Sequence, residues 1–188
     1  MINIFLRIFN SYNWNIIVLF ILSCTLLGSI IIQTIIGELP CPLCYSQRLG
    51  LVLMGAGVLL NLCYGEQRQH HAVILISALF TQVVAARQIL LTIQNNSAVG
   101  TDIFGFHLYT WAFITALAMI LFVSMRLIAK DYKQHVVKSI WTTWVAAFFL
   151  IVVFAQVPLV FLQCGVGVCH TYQWSTLGIK VPDSLHKF

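Results

Sequence analysis

Five long apolar runs, separated by short polar stretches, organise the chain. The first, Trp14–Ile36, carries no charged residue. As a helix it would reach about 34 Å, enough to cross a hydrocarbon core of about 30 Å. After the turn Gly37–Pro40 comes a second run, Tyr45–Tyr64, and then the polar connection Gly65–His71. The third run, Ala72–Gln94, is apolar except for Gln82, Arg87 and Gln88. Asn95–Gly105, free of Lys and Arg, leads into the fourth run, Phe106–Ile128. A connection bordered by Arg126, Lys130, Lys133 and Lys138 leads to the fifth, Ser139–Leu162, where Pro158 is expected to kink the last turns. Each run predicts a transmembrane helix. The lead-in Met1–Asn13 is mildly amphipathic, with Arg7 its only charge, and is expected along the membrane surface. The tail Gln163–Phe188 mixes Gly, Pro and two cysteines and need not be helical. A cleaved signal peptide competes for the first run, but a signal core spans about 7–15 residues and no clear small-residue cleavage site precedes Glu38.

The expected fold is therefore all-α: a polytopic membrane protein with a four-helix transmembrane bundle plus a fifth transmembrane helix, forming one integral membrane domain over residues 1–188. Composition agrees. Of 188 residues, 60% are hydrophobic and 8% charged, against about 25% charged in an ordinary soluble domain. The net charge of +5 then gives no reason to expect nucleic acid, because the cations sit in short connections and tails. They read as topology signals instead. Arg7, Arg68 and the Arg126–Lys138 cluster fall on one side, which the positive-inside rule makes cytoplasmic. The N-terminus is then cytoplasmic, and the tail 163–188 lies on the opposite, outer side, in a bacterial periplasm or comparable compartment.

The cysteines sort by position in this topology. Cys24 lies mid-span and Cys63 near the cytoplasmic end of the second span, where single cysteines serve as small apolar fillers. Cys41 and Cys44 stand at the outer end of the second span, stiffened by Pro40 and Pro42, and Cys164 and Cys169 emerge on the same side. Disulfides persist there. Cys44 sits near a helix N-terminus, where partial positive charge favours thiolate, and Arg48 follows one turn later on the same face. Redox chemistry is the first reading of Cys41/Cys44. The second pair, with two glycines between its thiols, reads as a further redox dithiol or as a structural staple. A tetrahedral zinc site built from both pairs and His170 is the competing reading, and needs a convergence that the loop lengths do not demand. A c-type haem is disfavoured because Tyr45, not His, follows Cys44.

Arg87 lies about 10 Å below the outer end of the third span, where a charge needs a partner or a task. Snorkelling to the headgroups is the structural reading. With Arg48 at similar depth, the functional one is a greasy ligand with carbonyl oxygens, and a quinone fits. His107, at the outer start of the fourth span, is either a proton carrier or an interfacial residue.

At these residues the chain resembles a known family. Cys41-x-x-Cys44 followed by Arg48, opening the second span after one preceding span, is similar to the quinone-linked membrane oxidases of the disulfide bond formation protein B (DsbB) family. Arg87 within Ala85–Leu90, and Gly105–Trp111 opening the fourth span, are also similar to segments of that family, so that the resemblance covers about residues 14–128. It implies a protein-disulfide oxidoreductase that reoxidises a periplasmic thioredoxin-fold (DsbA-like) protein. It also implies ubiquinone or menaquinone as cofactor, with Cys41, Cys44, Cys164 and Cys169 catalytic and Arg48, Arg87 and His107 toward the quinone. The family usually carries its second cysteine pair between the third and fourth spans. Here Asn95–Gly105 has none, and a fifth span delivers Cys164 and Cys169 instead. Two other readings share parts of the pattern: a reductase resembling vitamin K epoxide reductase, running electrons the other way, and a non-enzymatic membrane scaffold with inert disulfides.

Overall fold

The structure, a computed structural model, describes residues 11–36, 42–95, 102–103, 105–128 and 139–164. The lead-in before Ser11, the basic connection 129–138 and the tail beyond Cys164 lie outside them. Five helices run in chain order: α1 (Ser11–Ile31, continued as a π-helical turn over Ile32–Ile36), α2 (Pro42–Tyr64), α3 (Arg68–Asn95), α4 (Leu108–Ile128) and α5 (Ile140–Cys164). All five are long and apolar enough to cross a membrane, and the protein is an all-α multi-pass membrane protein. A small antiparallel hairpin precedes α4, pairing β1 (Asp102–Ile103) with β2 (Phe106–His107) around Gly105, whose φ of 79° suits glycine. The fourth helix therefore starts at Leu108 rather than Phe106.

Helix ends follow local chemistry. Pro42 is the first residue of α2, where its missing N–H costs nothing, so α2 begins three residues before the apolar run and takes Cys44 into its first turn. Gly65, at φ 82°, ends α2 in the left-handed conformation that a C-terminal cap needs. Inside the apolar spans, Ser and Thr hydroxyls return to carbonyls of the preceding turn, as Ser23 does to Leu19 at 2.7 Å and Thr81 to Ser77 at 2.8 Å.

The tightest contact is between α2 and α3. On α3 the buried residues His71, Ile74, Ala78, Thr81, Ala85 and Gln88 recur at alternating spacings of three and four, a single seam along the helix. It meets Gly50 and Gly57 of α2, seven residues apart. A Cβ on Gly50 would collide with Thr81 Oγ1, and one on Gly57 would lie 2.5 Å from Ile74 Cγ1. Without lipid-driven hydrophobic gain between helices, such small residues allow the close packing that holds membrane helices together.

The core cluster draws on all five helices, with Leu19, Leu22 and Leu26 of α1, Met54 and Val58 of α2, Ile74 of α3, Val123 of α4 and Phe149 of α5. α5 packs on α1 and α2. Phe149 seats its ring on Gly55, where a Cβ would overlap it. Tyr12 and Thr142 share a hydrogen bond of 2.5 Å, and Gln156 Nε2 donates to Leu26 O at 3.2 Å. Away from the cysteine end, buried Glu66 in the α2–α3 turn accepts from Asn15 of α1 at 3.1 Å and pairs with Arg126 of α4 at 2.5 Å. Arg126, read from the sequence as a topology signal, thus also ties α4 to the turn.

Candidate functional site

Cys44 is half-buried on the first turn of α2, on the strip of helix surface between α1 and α3. On the α3 side, Gln88 Nε2 donates to Cys44 Sγ at 3.5 Å, and Gln88 Oε1 lies 3.9 Å from the same sulfur. Gln47, one turn along α2, donates from Nε2 to Gln88 Oε1 at 2.7 Å. Both glutamines are buried.

On the α1 side, Arg48 donates to Gln33 Oε1 at 2.6 Å and to the Ser29 carbonyl at 3.1 Å, and its guanidinium lies 5.4 Å from the Tyr45 ring centroid. The third acceptor comes from the fifth helix: Gln156 Oε1 receives an Arg48 N–H at 3.4 Å. Gln156 is itself fixed by donating to Leu26 O and to Ser29 Oγ. Gln33, in the π-helical turn, also donates to the Tyr45 hydroxyl at 3.2 Å. Each of these acceptors is an amide or carbonyl oxygen, and Arg48 lies one turn below the sulfur.

The residues expected from the sequence are placed unevenly. Cys44 and Arg48 lie close together on α2, as the helical spacing requires. Arg87 is exposed on the side of α3, and it is its neighbour Gln88 that turns inward to Cys44. His107 packs on Tyr109 at 5.1 Å between ring centroids, at the start of α4. Cys41 and Cys169 lie outside the described residues, and Cys164 is the last residue of α5. Cys24 and Cys63 are exposed on the bundle surface rather than used as core fillers. Gln33, Gln47, Gln88 and Gln156 went unremarked as site residues. The signal for Gln88 was present: it continues the three-four seam of α3, from which Arg87 is turned by about 100°.

Cys44 thus has an amide donor on one side and the half-buried Arg48 guanidinium on the other, at one end of a bundle of helices long and apolar enough to span a membrane. Residues 11–98 match the model of a family described as Disulfide bond formation protein DsbB. Through that segment, which covers α1 to α3 and a little under half of the chain, the protein is similar to the DsbB family. The matched segment ends before the hairpin and α4, so the likeness read at Gly105–Trp111 lies beyond it. Comparison with curated proteins and with solved structures gave no match.

Proposed function

We propose that the chain is a quinone-linked thiol oxidase of a bacterial inner membrane, with its N-terminus cytoplasmic and its tail periplasmic. It reoxidises a periplasmic DsbA-like thioredoxin-fold protein and delivers the electrons to ubiquinone or menaquinone. The observation that carries this reading is the seat of Cys44: in a segment similar to the DsbB family, on the first turn of a spanning helix, with Arg48 one turn deeper.

In the proposed relay, a thiolate of the soluble protein attacks the Cys164–Cys169 disulfide. The mixed disulfide resolves into oxidised client and reduced outer pair. A thiolate of that pair then attacks Cys41, the Cys41–Cys44 bond breaks, and the electron pair leaves on Cys44. The helix N-terminus and Arg48 favour negative charge at Cys44, which makes it the better leaving sulfur. The residues fit a quinone, since Arg48 is a half-buried cation that donates to the amide and carbonyl oxygens of Gln33, Gln156 and Ser29, and a quinone carbonyl presents the same kind of acceptor. A bound quinone would supply the two-electron acceptor. Arg87 and His107, both toward the outer end of the bundle, complete the proposed quinone-side set.

The test is turnover of purified protein with a reduced DsbA-like protein and ubiquinone-1, followed by loss of quinone absorbance. Wild type should turn over and Cys44→Ser should not. Cys164→Ser should block oxidation of the soluble protein while dithiothreitol still reduces quinone through Cys41/Cys44. Full turnover by Cys44→Ser would overturn the reading.

A further inference from the structure

Gln47 and Gln88 face each other across the α2–α3 seam, 5% and 7% exposed. Carboxamides in such a place persist only with their hydrogen bonds made. Gln47 Nε2 donates to Gln88 Oε1 at 2.7 Å, which leaves Gln88 Nε2 as the atom nearer the sulfur, at 3.5 Å against 3.9 Å for Oε1. Turning Gln88 alone would set two amide nitrogens against each other, so Gln47 decides which end of Gln88 meets Cys44.

We propose that Gln88, oriented by Gln47, is a catalytic residue that donates a hydrogen bond to the Cys44 sulfur as negative charge arrives there. The inference deepens the proposed oxidase function and rests on it for the step that generates the charge. In that step the attacking sulfur bonds to Cys41, the Cys41–Cys44 bond breaks, and its electron pair goes to Cys44. No proton moves and no further oxidant is required. A disulfide sulfur is a weak acceptor and a thiolate a strong one, so the Gln88 N–H gains most in the state being formed. Gln88 thereby supplies from α3 what Arg48, with acceptors on α1 and α5, supplies from the other side.

Among the described residues, the charged and titratable side chains near Cys44 on the two helices of this seam are Tyr45 and Arg48 on its own helix and, next to Gln88 but on the exposed side of α3, Arg87. α1 and α5 contribute the neutral Gln33 and Gln156. Gln88→Leu replaces one neutral side chain by another and alters none of these charges.

The experiment uses full-length Cys41→Ser protein in detergent, in which Cys44 cannot form the inner disulfide. Iodoacetamide labelling of the Cys44 peptide, quantified by mass, is followed from pH 5 to 10. Gln88→Leu should raise the labelling midpoint by about one pH unit, a tenfold loss of thiolate near neutrality. Gln47→Leu should raise it by less, since the donor remains but is no longer oriented. A wild-type midpoint in Gln88→Leu overturns the proposal. Should that variant fail to fold, Gln88→Asn, whose amide is one methylene short of the sulfur, is read in the same way, and an unchanged midpoint there overturns it as well. Neither quinone nor soluble protein enters this measurement, so its failure is distinct from failure of the turnover test.

Discussion

The substitution Gly50→Ala probes how closely α2 and α3 must approach for the site to form. The added methyl would collide with Thr81 Oγ1, and Thr81 Cβ and Phe80 Cδ1 lie 3.2 and 3.3 Å away. Thr81 cannot simply swing aside: its χ1 is restricted in a helix and its hydroxyl is committed to Ser77 O at 2.8 Å. Restoring an ordinary contact requires the helices to separate by about 1.5 Å, and overpacking of this kind costs about 1–3 kcal/mol. The site feels the same shift. Gly50 lies about 9 Å along α2 from Cys44 and Thr81 about 10 Å along α3 from Gln88, so rigid helices carry the displacement to the amide–sulfur contact. At 3.5 Å that contact has little slack. Gly50→Ala should therefore lower the thermal midpoint of the purified protein and raise the pH midpoint of Cys44 labelling together. Adding Thr81→Ala removes the colliding hydroxyl and should recover both, with a coupling of about 1–2 kcal/mol in a double-mutant cycle. A double variant no more stable than Gly50→Ala would refute the account of this seam.

Three further outcomes follow from the other contacts. Arg126→Met leaves buried Glu66 without its cation and should cost about 3–5 kcal/mol in detergent unfolding, whereas Glu66→Gln with Arg126→Met should recover most of that loss. Gln156→Leu removes one acceptor of Arg48 and should raise the KM for ubiquinone-1 several-fold with a smaller change in kcat, while Gln156→Asn or →Glu should retain part of the wild-type value. Phe149→Ala empties the seat on Gly55, and its loss of about 3–5 kcal/mol should appear as easier proteolytic cleavage between α4 and α5.

The five spans were legible because length and exclusion of charge decide them, and those are written directly in the apolar runs. Their ends were less so: Pro42 extends α2 backwards over Cys44, and Gly105 turns Phe106 and His107 into a hairpin. The Cys41–Cys44–Arg48 spacing was equally plain, since helical geometry alone puts Arg48 one turn below the sulfur. What it could not reveal is the direction of each side chain across the seams. Arg87 drew attention as the costly residue of the third span, yet the face of α3 that meets α2 is set by the three-four repeat ending at Gln88. Glu66 and Arg126 looked like two unrelated connection charges, because sixty residues separate them and only the packed bundle joins them. Gln33 and Gln156 are single amides in otherwise apolar runs, and each becomes informative only once Arg48 is seen between them.

The Gln156–Arg48 bond also fixes a depth. α5 runs toward the cysteine end as its numbering rises, whereas α2 runs away from it. Starting from the common level of Gln156 and Arg48, Cys44 lies about 6 Å closer to that end, and Cys164 about 12 Å closer. The end of α5 thus stands about 6 Å beyond the level of Cys44, on the same side of the bundle. A helix attached merely through apolar contacts could slide along its neighbours at little cost. Gln156 on Arg48, Ser29 and Leu26, Phe149 on Gly55, and Tyr12 with Thr142 give it three points of register along its length. The proposed relay needs such register, because thiol–disulfide exchange proceeds through direct sulfur contact and a dithiol carried on a sliding helix would meet Cys41 only intermittently. Loss of any one of these points should therefore slow electron transfer from the second cysteine pair to the first more than it slows dithiothreitol acting on Cys41/Cys44 directly, and equal slowing of the two would argue against a relay through α5.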